Sequence, residues 1–172
     1  IQYICIMKDV TELTTSRKEI QDLAKFQLSL VEAIPNAVFW KDKNFRYIGC
    51  NSEFERISGF KRKEIIGKTI YDLYANALKT KNSFTAADAQ ERDKLIGGED
   101  QIKNMVEKAI KEGTPLTNIK RMPVRNKLYN KTTGEYKDVV IYRTIFINEH
   151  GEFDGLVCSM MDITKLLSDG HL

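Results

Sequence analysis

Apolar residues recur along the chain with two periods, one of three to four residues and one of two, and these periods predict its helices and strands. Between residues 9 and 35, apolar spacings of three, four and seven predict one amphipathic helix that Pro35 ends. The apolar positions are Leu13, Ile20, Leu23, Leu28, Leu30, Val31 and Ile34. This stripe is typical of a short two-stranded coiled coil, which Gln27 at a core position would weaken. It is equally typical of a helix that lies on its own domain's sheet.

Shorter stretches with a helical period or a strand period precede and follow this helix. Residues 1–8 predict a strand, and residues 36–51 predict two strands around a turn at residues 41–44. Further helices are predicted at residues 52–60, 61–68, 69–78 and 99–113. Three of them end at a glycine, which readily takes the backbone conformation of a helix end. Residues 79–98 are polar and predict no definite element.

The last part of the chain alternates between apolar and polar residues, which predicts three antiparallel strands joined by hairpin turns. These strands are predicted at residues 115–130, 135–148 and 152–164. Pro123 lies inside the first, and because proline has no amide hydrogen to donate, this strand is predicted at a sheet edge. If residue 133 is the centre of the first hairpin, Arg125 lies opposite Ile141 and on the same face as Arg143.

Arg143 is the main candidate for binding, because it interrupts an apolar run on a strand predicted to be internal, where a charge is costly. Arg121 and Arg125 are its predicted neighbours on that face, and such a guanidinium group suits a carboxylate or a phosphate. An ion pair at the surface or with another domain is the alternative, and a nucleic-acid surface that includes Lys127 is a third interpretation. The candidate pocket consists of Arg143, Arg125, Arg121, Ile141, Tyr129, Phe54, Ile57, Met105, Met160 and Cys158.

Composition narrows the class of protein. A length of 172 residues with 42% hydrophobic residues suits one domain plus a linker helix, and the first residue, Ile1, indicates an excerpt from a longer protein. A net charge of +3 is too small to predict a nucleic-acid partner. No apolar run reaches the roughly 18–20 residues that span a bilayer, so no membrane contact is predicted. The isolated cysteines Cys5, Cys50 and Cys158 indicate reduced thiols in the cytoplasm.

Histidine is scarce, which argues against a metal site, a haem site and histidine-based catalysis. The chain has two histidines, His150 in a turn-like stretch and His171 next to the end. Neither can be combined with a serine or cysteine into a catalytic arrangement, and there is no glycine-rich phosphate loop. We therefore expect neither an enzyme nor a metal site.

Two similar sequence motifs occur near the ends of the chain, YICIMKDVTELTTS at residues 3–16 and LVCSMMDITKLLSD at residues 156–169. Between the two lies an ordered series of short motifs. They are Ile34-Pro35, Asp42, Asn51 with Phe54, Gly59-Phe60, Glu64-Ile65, Gly67-Lys68 and Asp162-Ile163-Thr164. In this order they resemble a PAS domain, the sensor module of bacterial and archaeal signal-transduction proteins, over residues 31–165.

This resemblance implies an α+β fold, in which several short helices and one longer helix cup a five-stranded antiparallel sheet, preceded by the amphipathic helix. It also implies a regulatory sensor that binds a small molecule or a partner. Asp162 would cap the outgoing helix and Thr164 would help to fix its direction, so that the signal reaches an output domain. A histidine kinase of a two-component system and a cyclic-dinucleotide enzyme are the candidate outputs. A ligand-free dimerisation module is the alternative.

The same resemblance divides the chain. Residues 1–12 would end a preceding PAS domain, and residues 13–34 would form a linker helix that pairs in a homodimer. Residues 35–164 would be the sensor domain, and residues 165–172 would begin the outgoing linker.

Haem and flavin are cofactors of some PAS domains, and each requires particular residues that can be looked for in the sequence. A haem-binding PAS domain usually carries a histidine on its long helix, and the predicted helix at residues 99–113 has none; the CxxCH attachment motif is also absent. Covalent flavin chemistry needs a cysteine in an NCRFLQ-like helix, a context that Cys50 lacks. We therefore expect neither haem nor covalent flavin. Non-covalent flavin stays open, and a small anionic metabolite is the candidate ligand.

Overall fold

The computed structural model describes residues 11–73, 102–116 and 123–170. The chain divides into two units, Ile1–Ile34 and Pro35–Leu172. The predicted strand at residues 1–8 and the polar segment at residues 79–98 lie outside the described residues.

The first unit contains one long helix, α1 (Thr11–Glu32). It ends three residues before Pro35, so the amphipathic helix predicted from the apolar spacing is confirmed. Its large apolar side chains are well exposed, with Ile20 at 68% and Leu23 at 57%.

The second unit is built on one antiparallel sheet. Its strands are β1 (Ala37–Asp42), β2 (Tyr47–Cys50), β3 (Pro123–Tyr129), β4 (Tyr136–Ile147) and β5 (Phe153–Asp162). Their order is β2-β1-β5-β4-β3, which confirms the five-stranded antiparallel sheet. β3 lies at an edge, as Pro123 predicted. Residues 115–116 precede this strand and are not part of it, so the start predicted at residue 115 is wrong.

Short helices connect and cover the strands. They are α2 (Ser52–Ser58), α3 (Arg62–Ile65), α4 at residues 102–112 and α5 (Thr164–Ser168), with one further helical turn at residues 70–73. Gly59 ends α2 with a positive φ of 73°. A β-carbon at this position would lie only 2.7 Å from the backbone nitrogen of Thr132, so the contact between α2 and the β3–β4 turn requires glycine.

Apolar burial holds the helical layer on one face of the sheet. The larger cluster joins inward-facing strand residues such as Phe39 and Val139 to Phe54 and Ile57 of α2 and Ile65 of α3. A second cluster lies under α4 and consists of Val106, Ala109 and Leu116, with Ile102, Ile145 and Phe153 packed against it. Removing these side chains from water is the main favourable contribution to folding.

The register between β3 and β4 differs by one residue from the prediction. Arg125 lies opposite Val140, and it is Val124 that lies opposite Ile141. The reason is the length of the turn: Asn130 and Glu135 still form a backbone hydrogen bond, so four residues connect the strands and the centre falls between two of them. A shift of one residue exchanges the two faces of a strand, so the face predicted for Arg125 is wrong.

Candidate functional site

A cavity of about 40 Å³ lies on the helix-covered face of the sheet. Its described lining is mostly aromatic and aliphatic, with a few polar side chains. The lining residues are Phe39, Lys41, Phe45, Tyr47, Phe54, Ile70, Ile102, Asn126, Lys127, Leu128, Val139, Ile141, Arg143, Leu156, Cys158 and Met160. Three of these described residues are basic and none is acidic, so the lining favours a negatively charged group.

Half of the predicted pocket residues meet at this cavity. They are Arg143, Ile141, Phe54, Met160 and Cys158. Three more lie elsewhere in the described part of the chain. Ile57 is buried in the larger apolar cluster, Tyr129 packs against that cluster with its ring 5.4 Å from Tyr136, and Met105 is half-buried on α4.

The other two predicted arginines do not join Arg143. The Nη2 atom of Arg125 lies 4.0 Å from a carboxylate oxygen of Asp138, and the register of β3 puts Arg125 on the face of the sheet opposite to Arg143. Arg121 lies outside the described residues. Arg125 is therefore not part of the predicted cluster of three arginines.

Arg143 occupies the centre of the site. It lies opposite Cys158 of β5 on the internal strand β4, which is next to the edge strand β3, and it is only 8% exposed. Alternation along β4 turns it to the same face as Val139 and Ile141, which are also buried. A guanidinium group in this position offers paired donors to a planar anion inside the cavity.

Lys41 is a site residue that the sequence pattern did not reveal. The sequence predicts a turn at residues 41–44, whereas the structure continues β1 to Asp42 and buries Lys41 to 1% exposure. Its Nζ atom lies 4.1 Å from the centre of the Tyr47 ring, a distance at which the ring face attracts a cation. The alternation of Ala37, Phe39 and Lys41 on one face of β1 is the signal that could have found it.

Two buried asparagines fasten α2 to the rest of the unit. The Oδ1 atom of Asn51 accepts hydrogen bonds from the backbone amides of Val38 and Phe54 at 2.9 and 3.0 Å, and its Nδ2 donates to the carbonyl of Asn36. These bonds tie β1 to the start of α2. The side chain of Asn130 joins the end of α2 to the β3–β4 turn in the same way, donating to the carbonyl of Ile57 at 2.9 Å.

The strand that lines the cavity leads directly into the last helix. Asp162 ends β5, and its Oδ1 accepts from the Thr164 amide at 3.0 Å while its Oδ2 accepts from Lys137 at 2.9 Å. The hydroxyl oxygen of Thr164 in turn accepts from the Asp138 amide at 2.9 Å. The N-cap of α5 is Ile163, so Asp162 supports the helix start from one position earlier than predicted.

The environment of Asp162 favours its charged form. Burial acts to raise the pKa of this carboxyl, but the hydrogen bonds from Lys137 and Thr164 together outweigh it, and the pKa lies below its usual value of 3.8. The carboxyl group of Asp162 is therefore charged at neutral pH, and the ammonium group of Lys137 is its partner.

Neither a metal centre nor a membrane span is found in the part of the chain that the structure describes. Within residues 11–73, 102–116 and 123–170, no group of three or more His, Cys, Asp or Glu side chains could hold a metal ion. In that part of the chain, no helix has both the length and the apolar character needed to cross a bilayer.

The sheet order and the cavity on the covered face define a class of α+β proteins in which short helices cup a five-stranded antiparallel sheet. The family model described as the PAS fold matches residues 28–163. The chain therefore belongs to the PAS family, whose members are in general sensory modules. No curated protein is a significant match.

Solved structures agree with this fold. The PAS domain of a Colwellia psychrerythraea protein shares 16% identity at a TM-score of 0.55, covering 84% of this chain and 99% of that one. A PAS domain from a two-component sensor histidine kinase shares 10% at 0.52, covering 83% and 98%. An RNA-binding light-oxygen-voltage receptor shares 13% at 0.55, covering 97% of this chain and 38% of the receptor. At these identities the likeness shows the fold alone.

The cavity volume bears on which ligands fit. Pockets for drug-sized ligands and cofactors measure about 300–1,000 Å³. The cavity bounded by the described residues, about 40 Å³, is far smaller than these pockets.

Proposed function

We propose that this chain is the sensor module of a multidomain signalling protein and binds a small anionic molecule in the cavity on the helix-covered face. The observation that carries the proposal is the buried position of Arg143 in an otherwise mostly apolar cavity. An anion there would gain a charge-assisted, bidentate hydrogen bond in surroundings of low dielectric constant.

The signal would leave through β5. Leu156, Cys158 and Met160 of this strand line the cavity, and the strand ends at Asp162, two residues after the last of them. A ligand that prefers one position of β5 would therefore bias the hydrogen bonds at Asp162 and Thr164. Such a bias requires different affinities for two states of the protein.

The output would be a domain that follows α5. A histidine kinase is the first candidate, because a PAS domain from such a kinase has the same fold; a cyclic-dinucleotide enzyme is the second. The sensor would act in the cytoplasm as a homodimer paired through α1, whose apolar side chains Ile20, Leu23 and Leu30 are exposed.

Native mass spectrometry of freshly purified protein tests the ligand proposal. We expect a small-molecule adduct on the parent chain, and its loss in Arg143→Ala with the far-ultraviolet circular dichroism unchanged. Arg125→Ala is the matched control, because it removes the same group from the neighbouring strand on the opposite face. If Arg143→Ala retains the adduct, or if the parent carries none and binds no small acid, the proposal is wrong.

A ligand-free dimerisation module is the second candidate function. The exposed apolar stripe of α1 favours it, since two such helices can bury their stripes against each other. A dimer whose stability is insensitive to every small acid tested would favour this function over the sensor.

A further inference from the structure

The cavity contains a second buried cation, which the proposed sensor function does not yet use. Lys41 pairs with Leu156 across β1 and β5, and Arg143 pairs with Cys158 across β4 and β5. Leu156 and Cys158 are two residues apart and share a face of β5, so all four side chains point to the same side of the sheet.

The two cations reach the cavity from different sides. β5 lies between their strands, and two strand spacings combined with a two-residue step place their α-carbons about 12 Å apart. The ammonium group of Lys41 lies 4.1 Å from the centre of the Tyr47 ring and 5.9 Å from the centre of the Phe39 ring. Both cationic residues line the same cavity, from strands on either side of β5.

We propose that the ligand is a short dicarboxylate, with one carboxylate at Arg143 and the other at Lys41. The inference rests on the proposed sensor function and specifies its ligand. Arginine can hold a carboxylate through two parallel hydrogen bonds, and lysine acts as a compact point charge for the second. Leu156, Cys158 and Phe39 lie between the two and suit the methylene groups of such a ligand.

Isothermal titration calorimetry with succinate and butyrate tests this inference on the 172-residue chain. Both acids have four carbons, and they differ in the second carboxylate. We expect succinate to bind about tenfold more tightly or better, the effect of one additional charge-assisted hydrogen bond. This comparison requires no variant.

Variants then assign the second carboxylate to Lys41. Lys41→Met should reduce succinate affinity about tenfold and butyrate affinity less than about threefold, whereas Arg143→Ala should abolish binding of both. Lys43→Met is the matched control, since it removes an exposed lysine two residues away and should change neither affinity. Lys41→Arg keeps the charge and should keep the preference for succinate, which separates this role from packing against Tyr47.

Each outcome decides the inference. Preferential succinate binding that Lys41→Met removes supports it. Equal binding of the two acids, or a preference unchanged in Lys41→Met, overturns the dicarboxylate assignment and leaves the sensor proposal standing. Binding of neither acid also overturns the assignment, and the adduct seen by native mass spectrometry then decides the sensor proposal separately.

Discussion

At the scale of single residues, buried asparagine side chains join α2 to the sheet through hydrogen bonds. Asn51 is fully buried, and its side chain satisfies two buried backbone amides and one partly buried carbonyl. Loss of such a side chain leaves several buried polar groups without partners, and each costs free energy.

Asn51→Ala should therefore lower the free energy of unfolding by about 2–4 kcal/mol, measured by urea denaturation. Asn148→Ala is the control, because Asn148 accepts from the amides of His150 and Glu152 in an exposed turn where water can replace it. We expect the control to cost less than about 1 kcal/mol. Equal effects of the two changes would contradict this account of burial.

Asp162 makes stability depend on pH. Its pKa in the folded chain lies below the unfolded value of 3.8, so its contribution is present above pH 3.8 and is lost as the pH falls through the folded pKa. The difference in free energy of unfolding between the parent and Asp162→Asn should therefore be largest near neutral pH and shrink below pH 3.8. Urea denaturation across this range measures it, and a difference independent of pH would refute the role assigned to the carboxylate.

At the scale of elements, α1 presents a seam that suits pairing. Ile20 and Gln27 are seven residues apart, and Leu23 and Leu30, also seven apart, form the second row of the seam. This is the spacing of a coiled coil, in which a polar side chain at one core position lowers stability and specifies register.

Leu23→Glu should weaken dimerisation about tenfold or more, because it would bury a charge in the seam. Leu28→Glu is the matched control, since Leu28 is also exposed on α1 but lies outside the two heptad rows that contain Ile20 and Leu23. Sedimentation equilibrium measures both. If the two variants dissociate alike, or if the parent chain is a monomer, pairing through this seam is wrong.

Elements were predictable from the sequence where local chemistry decides them. Pro123 predicted an edge strand, and the glycines after α2 and α4 predicted helix ends, because each residue restricts its own backbone. The pairing of Arg125 was not predictable in this way, since it depends on whether the turn contains an odd or an even number of residues. Lys41 was missed because a polar run after Trp40 resembles a turn when cross-strand partners are unknown.

At the scale of the whole molecule, the ordered motifs predicted the PAS fold, but the site also needed coordinates. The cavity joins residues from five strands and three helical segments, so its size and charge arise from contacts distant in sequence. Both buried apolar clusters belong to the unit Pro35–Leu172, which therefore contains its own core.

The chain without residues 1–34 should consequently fold by itself, with a single cooperative thermal transition followed by circular dichroism. The full-length chain at the same concentration is the control. A broad, non-cooperative transition in the shortened chain would show that the second unit requires α1 for its core.

The turn between β3 and β4 has a consequence for how such a module can diversify. Because four residues separate the strands, adding or deleting one would invert the edge strand, sending Asn126 outward and a cationic neighbour such as Arg125 inward. A single codon gained or lost in this turn would thus change which side chains of β3 line the cavity, without a substitution at any position of the strand. Whether this turn contains an even or an odd number of residues thus decides which face of β3 the cavity meets.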